Sequence, residues 1–183
     1  MENKMSYANE IDRAIDGEQL ALALSLAEQW VAAAPEDAGA CSKLAHVYEM
    51  SEDFAKASMA VSAALKISPD YPPYLFKKGH AEYRLGNYED AANAFVLCVA
   101  RSEVTQDHYY LDAARIAQAR CLVLNGRAGL AVDVIASAAA GSATWLDKRF
   151  SKEEVLTSIQ SAHLGSSSAK IGKIVDIRRR RKP

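Results

Sequence analysis

The stretch GHAEYRLGNYEDAANAF, Gly79 to Phe95, lies near the middle of the 183-residue chain and decides its architecture. Small residues fall at Gly79, Gly86 and Ala91, and aromatic ones at Tyr83, Tyr88 and Phe95. Two antiparallel helices approach to about 8–10 Å only where the facing side chains are small. Gly79 and Ala91 permit that approach, and the three aromatic rings fill the space around it. Gly86 tolerates the positive φ that a turn between helices needs. Asn87 is the expected N-cap of the second helix, with Glu89 and Asp90 well placed against its dipole. The stretch predicts a helical hairpin whose small residues serve packing.

The same register returns along the chain. Pro35 and Pro69 stand 34 residues apart, each after an apolar helical run. Ala23, Ala57 and Ala91 share one register, as do Leu20, Phe54 and Tyr88; Ala45 pairs with Gly79, and His46 with His80. A period of this length marks stacked hairpins, none of which can bury its apolar face alone. The pattern resembles the tetratricopeptide repeat (TPR) family. Residues 72–105 supply Gly79, Tyr83, Gly86, Tyr88, Ala91, Phe95 and Cys98 at the family's small, aromatic and turn positions. Residues 38–71 supply Ala45, Tyr48, Phe54, Ala57, Val61, Ala64 and Pro69; residues 4–37 match less fully, with Trp30 at a position usually small. A fourth unit fits after a six-residue insertion, SEVTQD (102–107), through Ala119, Val123, Gly126, Ala131, Ile135 and Ala138.

The resemblance covers residues 4–145 and implies an all-α, TPR-like helical-hairpin solenoid of about 3.5–4 repeats. Helices are expected near 4–16, 18–34, 38–50, 53–67, 73–85, 88–101, 108–125 and 128–140, the seventh about one turn longer than its counterparts. Pro72 and Pro73 suit the first turn of the fifth helix. Ser151 with Glu154 forms a capping box, opening a helix over 151–164 that would cover the exposed end of the stack. The chain divides accordingly into a helical repeat array (1–145), a capping helix (146–164), and a flexible linker with a basic tail (165–183).

Composition agrees with this class. Half the residues are hydrophobic and a quarter charged, with only nine glycines and five prolines, which favours long helices over a turn-rich β-fold. The polar N-terminus lacks a secretory signal pattern and no run suits a membrane span. Cys41, Cys98 and Cys121 are odd in number and widely spaced, so reduced, buried thiols and a cytoplasmic location are expected. Net charge is −1, but Arg178, Arg179, Arg180, Arg181 and Lys182 hold five of the 22 basic residues; residues 1–177 carry 17 basic against 23 acidic ones, a balance of −6.

No phosphate loop, HExxH, GxSxG or CxxC spacing occurs, and the carboxylates do not converge on a recognisable pocket. The reading is a protein that is not an enzyme and needs no cofactor or metal. His46 and His80 occupy one repeat position, with Glu49 on the same helical face as His46. Two imidazoles and a carboxylate can bind a metal; contact with a peptide, or solvation alone, are the competing readings.

The resemblance implies that the first helices of successive units line a concave surface that binds a segment of a partner. Carried over, that surface comprises Lys43, His46, Glu49, Met50, Phe76, Lys77, His80, Tyr83, Arg84, Ile116, Arg120 and Val123, with Asp12, Ile15, Asp16 and Leu124 at its ends. Its mixture of cations with apolar groups suits a partner with apolar anchors and some negative charge. Some members bind chaperone C-termini through a lysine/asparagine/arginine clamp on a carboxylate; at three of the expected clamp positions this chain has Ala8, Asp12 and Pro73. The expected function is a protein–protein adaptor or chaperone, of which a small bacterial secretion-type chaperone is a narrower version. The alternative is a nucleic-acid-associated regulator using the basic tail, since five charges support salt-sensitive binding to phosphate or an anionic surface. Homodimerisation is a further expectation for an array with an exposed apolar edge.

Overall fold

The computed structural model describes residues 2–106 and 108–162. Its helices are α1 (Glu2–Asp16), α2 (Leu20–Ala33), α3 (Ala38–Met50), α4 (Phe54–Ile67), α5 (Pro72–Arg84), α6 (Tyr88–Thr105), α7 (His108–Leu124) and α8 (Ala128–Ala136). Two short strands follow, β1 (Ala143–Trp145) and β2 (Arg149–Ser151), and then a closing helix, α9 (152–162). Helices pack in sequential pairs, α1 with α2 through α7 with α8, and each pair stacks on the next. Because α1 also touches α3, and α5 touches α7, the odd-numbered helices share one face of the array.

The repeat is written into the backbone. Each hairpin turns on one left-handed residue: Glu18 (φ 58°), Glu52 (φ 58°), Gly86 (φ 81°) and Gly126 (φ 72°). The first three are spaced by the 34-residue period and the last by six residues more, the length of the insertion. At Gly79 a Cβ would lie 2.7 Å from the ring of the fully buried Phe95, so this helix crossing admits hydrogen alone. Trp30, at a position other units keep small, stacks on Tyr7 with ring centroids 6.2 Å apart at the edge of the array.

Capping follows the sequence in part. Asp37 and Asp53 accept from the amides of Gly39 (3.0 Å) and Lys56 (3.1 Å), and Pro72 and Pro73 open α5. Asn87 does not cap α6; its side chain donates to Glu82 Oε2 at 2.8 Å. Glu82 is the centre of a network that the sequence did not reveal. It accepts from Ser58 Oγ at 2.6 Å and pairs with Lys78 Nζ at 2.8 Å, and Lys78 also donates to Ser58 Oγ at 2.6 Å. Burial raises the Glu82 pKa, but these donors outweigh it and hold the carboxyl below its ordinary value. The network joins α4 to α5, next to a thin apolar contact between α3 and α4 through Ala45, Ala60 and Val61 and through Ala38, Cys41 and Ala64. Larger clusters lie on either side, Ile11 to Val47 in α1–α3 and Leu75 to Ile159 from α5 onward.

Three boundaries differ from expectation. The insertion lengthens α6 to Thr105, and Gln106 closes it at φ 57°. The 17-residue α7 is one turn longer than the 13-residue α3 and α5, as its spacing required, so α6 and α7 stay paired along their length. The last helix of the array stops at Ala136 instead of continuing to 140, and Gly141 (φ 76°) leads into the strands. The strands are antiparallel, with Thr144 opposite Phe150 and Trp145 opposite Arg149. Thr144, Leu146 and Phe150 are buried while Trp145 and Arg149 are exposed, the alternation of a strand with one face on a core. A helical reading of the chain from 146 onward misses this hairpin; the closing helix begins after it. Ser151 and Glu154 do form the reciprocal capping box, with N–H to Oε2 at 2.7 Å and N–H to Oγ at 3.2 Å. Val155 and Ile159 of α9 join the core of α7 and α8 and cover its end.

Gly79→Ala is expected to destabilise the fold by about 1–3 kcal/mol, because the added methyl overpacks against Phe95. Glu18→Gly is expected to stabilise it by about 0.5–1 kcal/mol, the left-handed penalty outweighing the added chain entropy. Urea unfolding of the two variants beside the parent chain measures both.

Candidate partner-binding groove

The shared face of α1, α3, α5 and α7 has two halves of different character. In the first half, Lys43 Nζ of α3 pairs with Asp12 Oδ1 of α1 at 2.7 Å. Glu49 stands between two imidazoles, with Oε1 3.2 Å from His80 Nδ1 and Oε2 3.7 Å from His46 Nδ1. Burial alone would raise the Glu49 pKa, yet the hydrogen bonds from His46 and His80 and the nearby Lys77 bring it down to about 2. Lys77 is half-buried and its pKa is lowered chiefly by desolvation, against the attraction of Glu49. Met50 lies exposed beside them, and the Arg84 guanidinium sits 4.0 Å over the ring of Phe54. Among the described residues no cluster of three or more histidine, cysteine, aspartate and glutamate side chains is arranged to hold a metal ion.

The second half is occupied by the chain itself. The β1–β2 hairpin lies against α7, and its tip reaches α5. His80 Nε2 stands 3.0 Å from the carbonyl oxygen of Leu146, and Tyr83 Oη donates to Asp147 Oδ1 at 3.0 Å. Both neighbours of the His80 ring, the Glu49 carboxylate and the Leu146 carbonyl, are acceptors. Arg120 of α7 lies over Phe150 at 4.8 Å, and its Nε is enclosed with no hydrogen-bond partner among the described residues. Burial pushes the Tyr83 hydroxyl up to about 12; Arg120 opposes the shift and Asp147 adds to it. Leu146 and Phe150 are each 5% exposed, and burying two such side chains is worth roughly 3–6 kcal/mol before entropy. Beyond the hairpin, Phe76, Tyr109, Tyr110, Ala113, Ala143, Thr144 and Trp145 enclose an open cleft of about 270 Å³.

Of the residues expected to face a partner, Lys43, His46, Glu49, Met50, Lys77 and Arg84 line the open half. His80 sits at the boundary, and Tyr83 and Arg120 are taken up by the hairpin. Ile116 is a correction: it is fully buried among the core residues of α7, because the side of α7 that it occupies turns inward. Phe76 and Val123 are half-buried at the edge of that core, Phe76 against Phe95 and Tyr110 with centroids 5.3 and 5.1 Å away. Arg178, Arg179, Arg180, Arg181 and Lys182 lie outside the described residues. The three cysteines are buried, and desolvation drives the Cys121 thiol up to about 12, a poor nucleophile. The hairpin, and with it the 70%-exposed Trp145, was missed; the alternation of Thr144, Trp145 and Leu146 was the available signal.

No family model matches the chain, and no curated protein does. Solved structures do. MamA superimposes with a TM-score of 0.68 at 14% identity, over 89% of this chain and 82% of that one. The TPR-like repeats of a putative kinesin light chain from Podosopora anserina give 0.65 at 20% identity, over 72% and 71%. The chain has the TPR fold. The TPR2B domain of yeast Sti1, solved as a complex with an Hsp70 peptide, also superimposes on it, with a TM-score of 0.62 at 14% identity over 66% of this chain and 97% of that domain. No helix of this TPR array is long and apolar enough, among the described residues, to cross a membrane.

The Glu49 carboxyl titrates lower in the folded chain than in the unfolded one. Its stabilising contribution is therefore complete above about pH 4.5 and disappears as pH falls toward 2, with an upper bound of about 3 kcal/mol. Glu49→Gln is expected to lower stability at pH 6 and to flatten the acid limb between pH 5 and 2. Urea unfolding across that range tests it; an unaltered acid limb would remove Glu49 from the account.

Proposed function

We propose that the chain is a non-enzymatic adaptor or chaperone that holds a segment of a partner polypeptide along the face formed by α1, α3 and α5. The observation that carries this reading is the open half of the groove. Lys77 lies half-buried there, attracted by the nearby Glu49 carboxylate, on a face that also carries exposed Met50 and, next to Phe76, the aromatic cleft that ends at Trp145. A cation flanked by apolar surface suits a segment with apolar anchors and a negative group. The Sti1 domain and the first TPR of Spaghetti (RPAP3), the latter bound to an HSP90 peptide, support a peptide as the kind of ligand. Ala8, Asp12 and Pro73 depart from the clamp of chaperone-binding members, so a different partner sequence is expected here.

The partner is to be recovered from the native cell with tagged chain and quantified by mass spectrometry. Lys77→Glu combined with Trp145→Ala is expected to reduce its recovery at least tenfold. Met59→Ser, on exposed α4 surface, and removal of residues 178–183 are both expected to leave it unchanged. Equal recovery by the Lys77/Trp145 variant and the parent chain would sink the groove assignment.

A further inference from the structure

We propose that the part of the groove between α5 and α7 is a binding site for a partner segment presenting an apolar side chain next to a carboxylate. The hairpin tip, Leu146–Asp147, is its intramolecular occupant. This rests on the reading of the concave face as a polypeptide-binding surface and specifies what that surface accepts.

The donors come from two different repeats. His80 and Tyr83 project from α5, and the Arg120 guanidinium from α7. Asp147 uses one of its oxygens on Tyr83 Oη at 3.0 Å, while Arg120 Nε remains enclosed and unpartnered among the described residues. A hairpin serving only to cover a core needs no buried donor in excess, since each unmet one costs stability. One surplus donor in the same pocket as a carboxylate that uses a single oxygen is what a more fully engaged carboxylate would satisfy.

The tip divides its work between two residues. Leu146 fills the apolar floor at 5% exposure, whereas Asp147 stays exposed at the rim. An incoming segment can therefore reach the donors without first unfolding the array. The base of the hairpin is held separately, by Phe150 under Arg120 and by the pairing of Ala143 with Ser151. Exchange requires only that the tip yield, and a competitor has to replace both the buried side chain and the carboxylate. A basic or wholly polar segment offers neither.

The probe is a fluorescein-labelled peptide with the sequence of residues 142–152, SATWLDKRFSK, titrated by anisotropy against the full chain. A Leu146→Gly/Asp147→Gly variant, with helical circular dichroism retained, is expected to bind it at least tenfold more tightly than the parent chain. Introducing Asp147→Ala into the peptide, or Tyr83→Phe with Arg120→Gln into that variant, is expected to reverse the gain. If the double glycine variant loses its helices, the parent chain supplies the readout. Millimolar peptide should then speed amide exchange at residues 145–149 at least tenfold and leave α1–α4 unchanged. Absence of binding to the folded variant, unchanged exchange, or equal binding of the Asp147→Ala peptide overturns the proposal. Those results leave the Lys77/Trp145 measurement untouched, so the site and the general groove reading fail separately.

Discussion

Close approach of paired helices is the constraint from which the rest of this structure follows. Side chains at the crossing must be nearly absent so that those around it can interlock, and Gly79 against the Phe95 ring is the tightest instance. Alanines at 23, 57, 91 and 131, all fully buried, meet the same demand in each unit. Once each hairpin closes in this way, its length and turn are set, and the next hairpin can stack in the same register. The left-handed residue at every turn completes the unit. Where that residue is glutamate, the backbone accepts strain to preserve the geometry.

Stacking aligns the odd-numbered helices and so creates a continuous face, but the chain leaves only part of it open. A solenoid that ended at α8 would expose the apolar side of its last unit. The segment after α8 answers this twice, with α9 across the end and with the β1–β2 hairpin folded inward. The second solution places peptide backbone against α5 and α7. Among the described residues, the shared face therefore has a stretch around Lys77 that the hairpin leaves uncovered and one around Tyr83 and Arg120 that it fills.

How much of this was legible depended on whether a feature repeats. Gly79, Ala91, Gly86 and their counterparts recur at one spacing, so a single chain supplies several independent views of each position. The helices, their pairing and the extra turn in α7 followed from that. That α1, α3 and α5 share a face, as the Lys43–Asp12 and His80–Glu49 contacts show, followed as well, because helical period and repeat register together determine direction. Features occurring once were not legible. The Ser58–Lys78–Glu82 network joins residues whose proximity depends on how α4 meets α5 in space. The hairpin breaks the period altogether, and its nine residues could be taken as the approach to a helix. Ile116 was misplaced because the hairpin covers the face of α7 that carries it, with Arg120 one turn further on.

The polar junction between α4 and α5 bears on how the molecule comes apart. A chain with one continuous apolar core unfolds as a unit, but here the larger clusters lie on opposite sides of a seam of alanines and hydrogen bonds. Local stability therefore need not be equal on the two sides of that seam. The groove crosses this seam, with Lys43 and Glu49 on one side and Lys77 and His80 on the other. On the proposed reading, a ligand lying along the groove would contact both sides of the seam and, by binding only the folded array, would stabilise it by mass action.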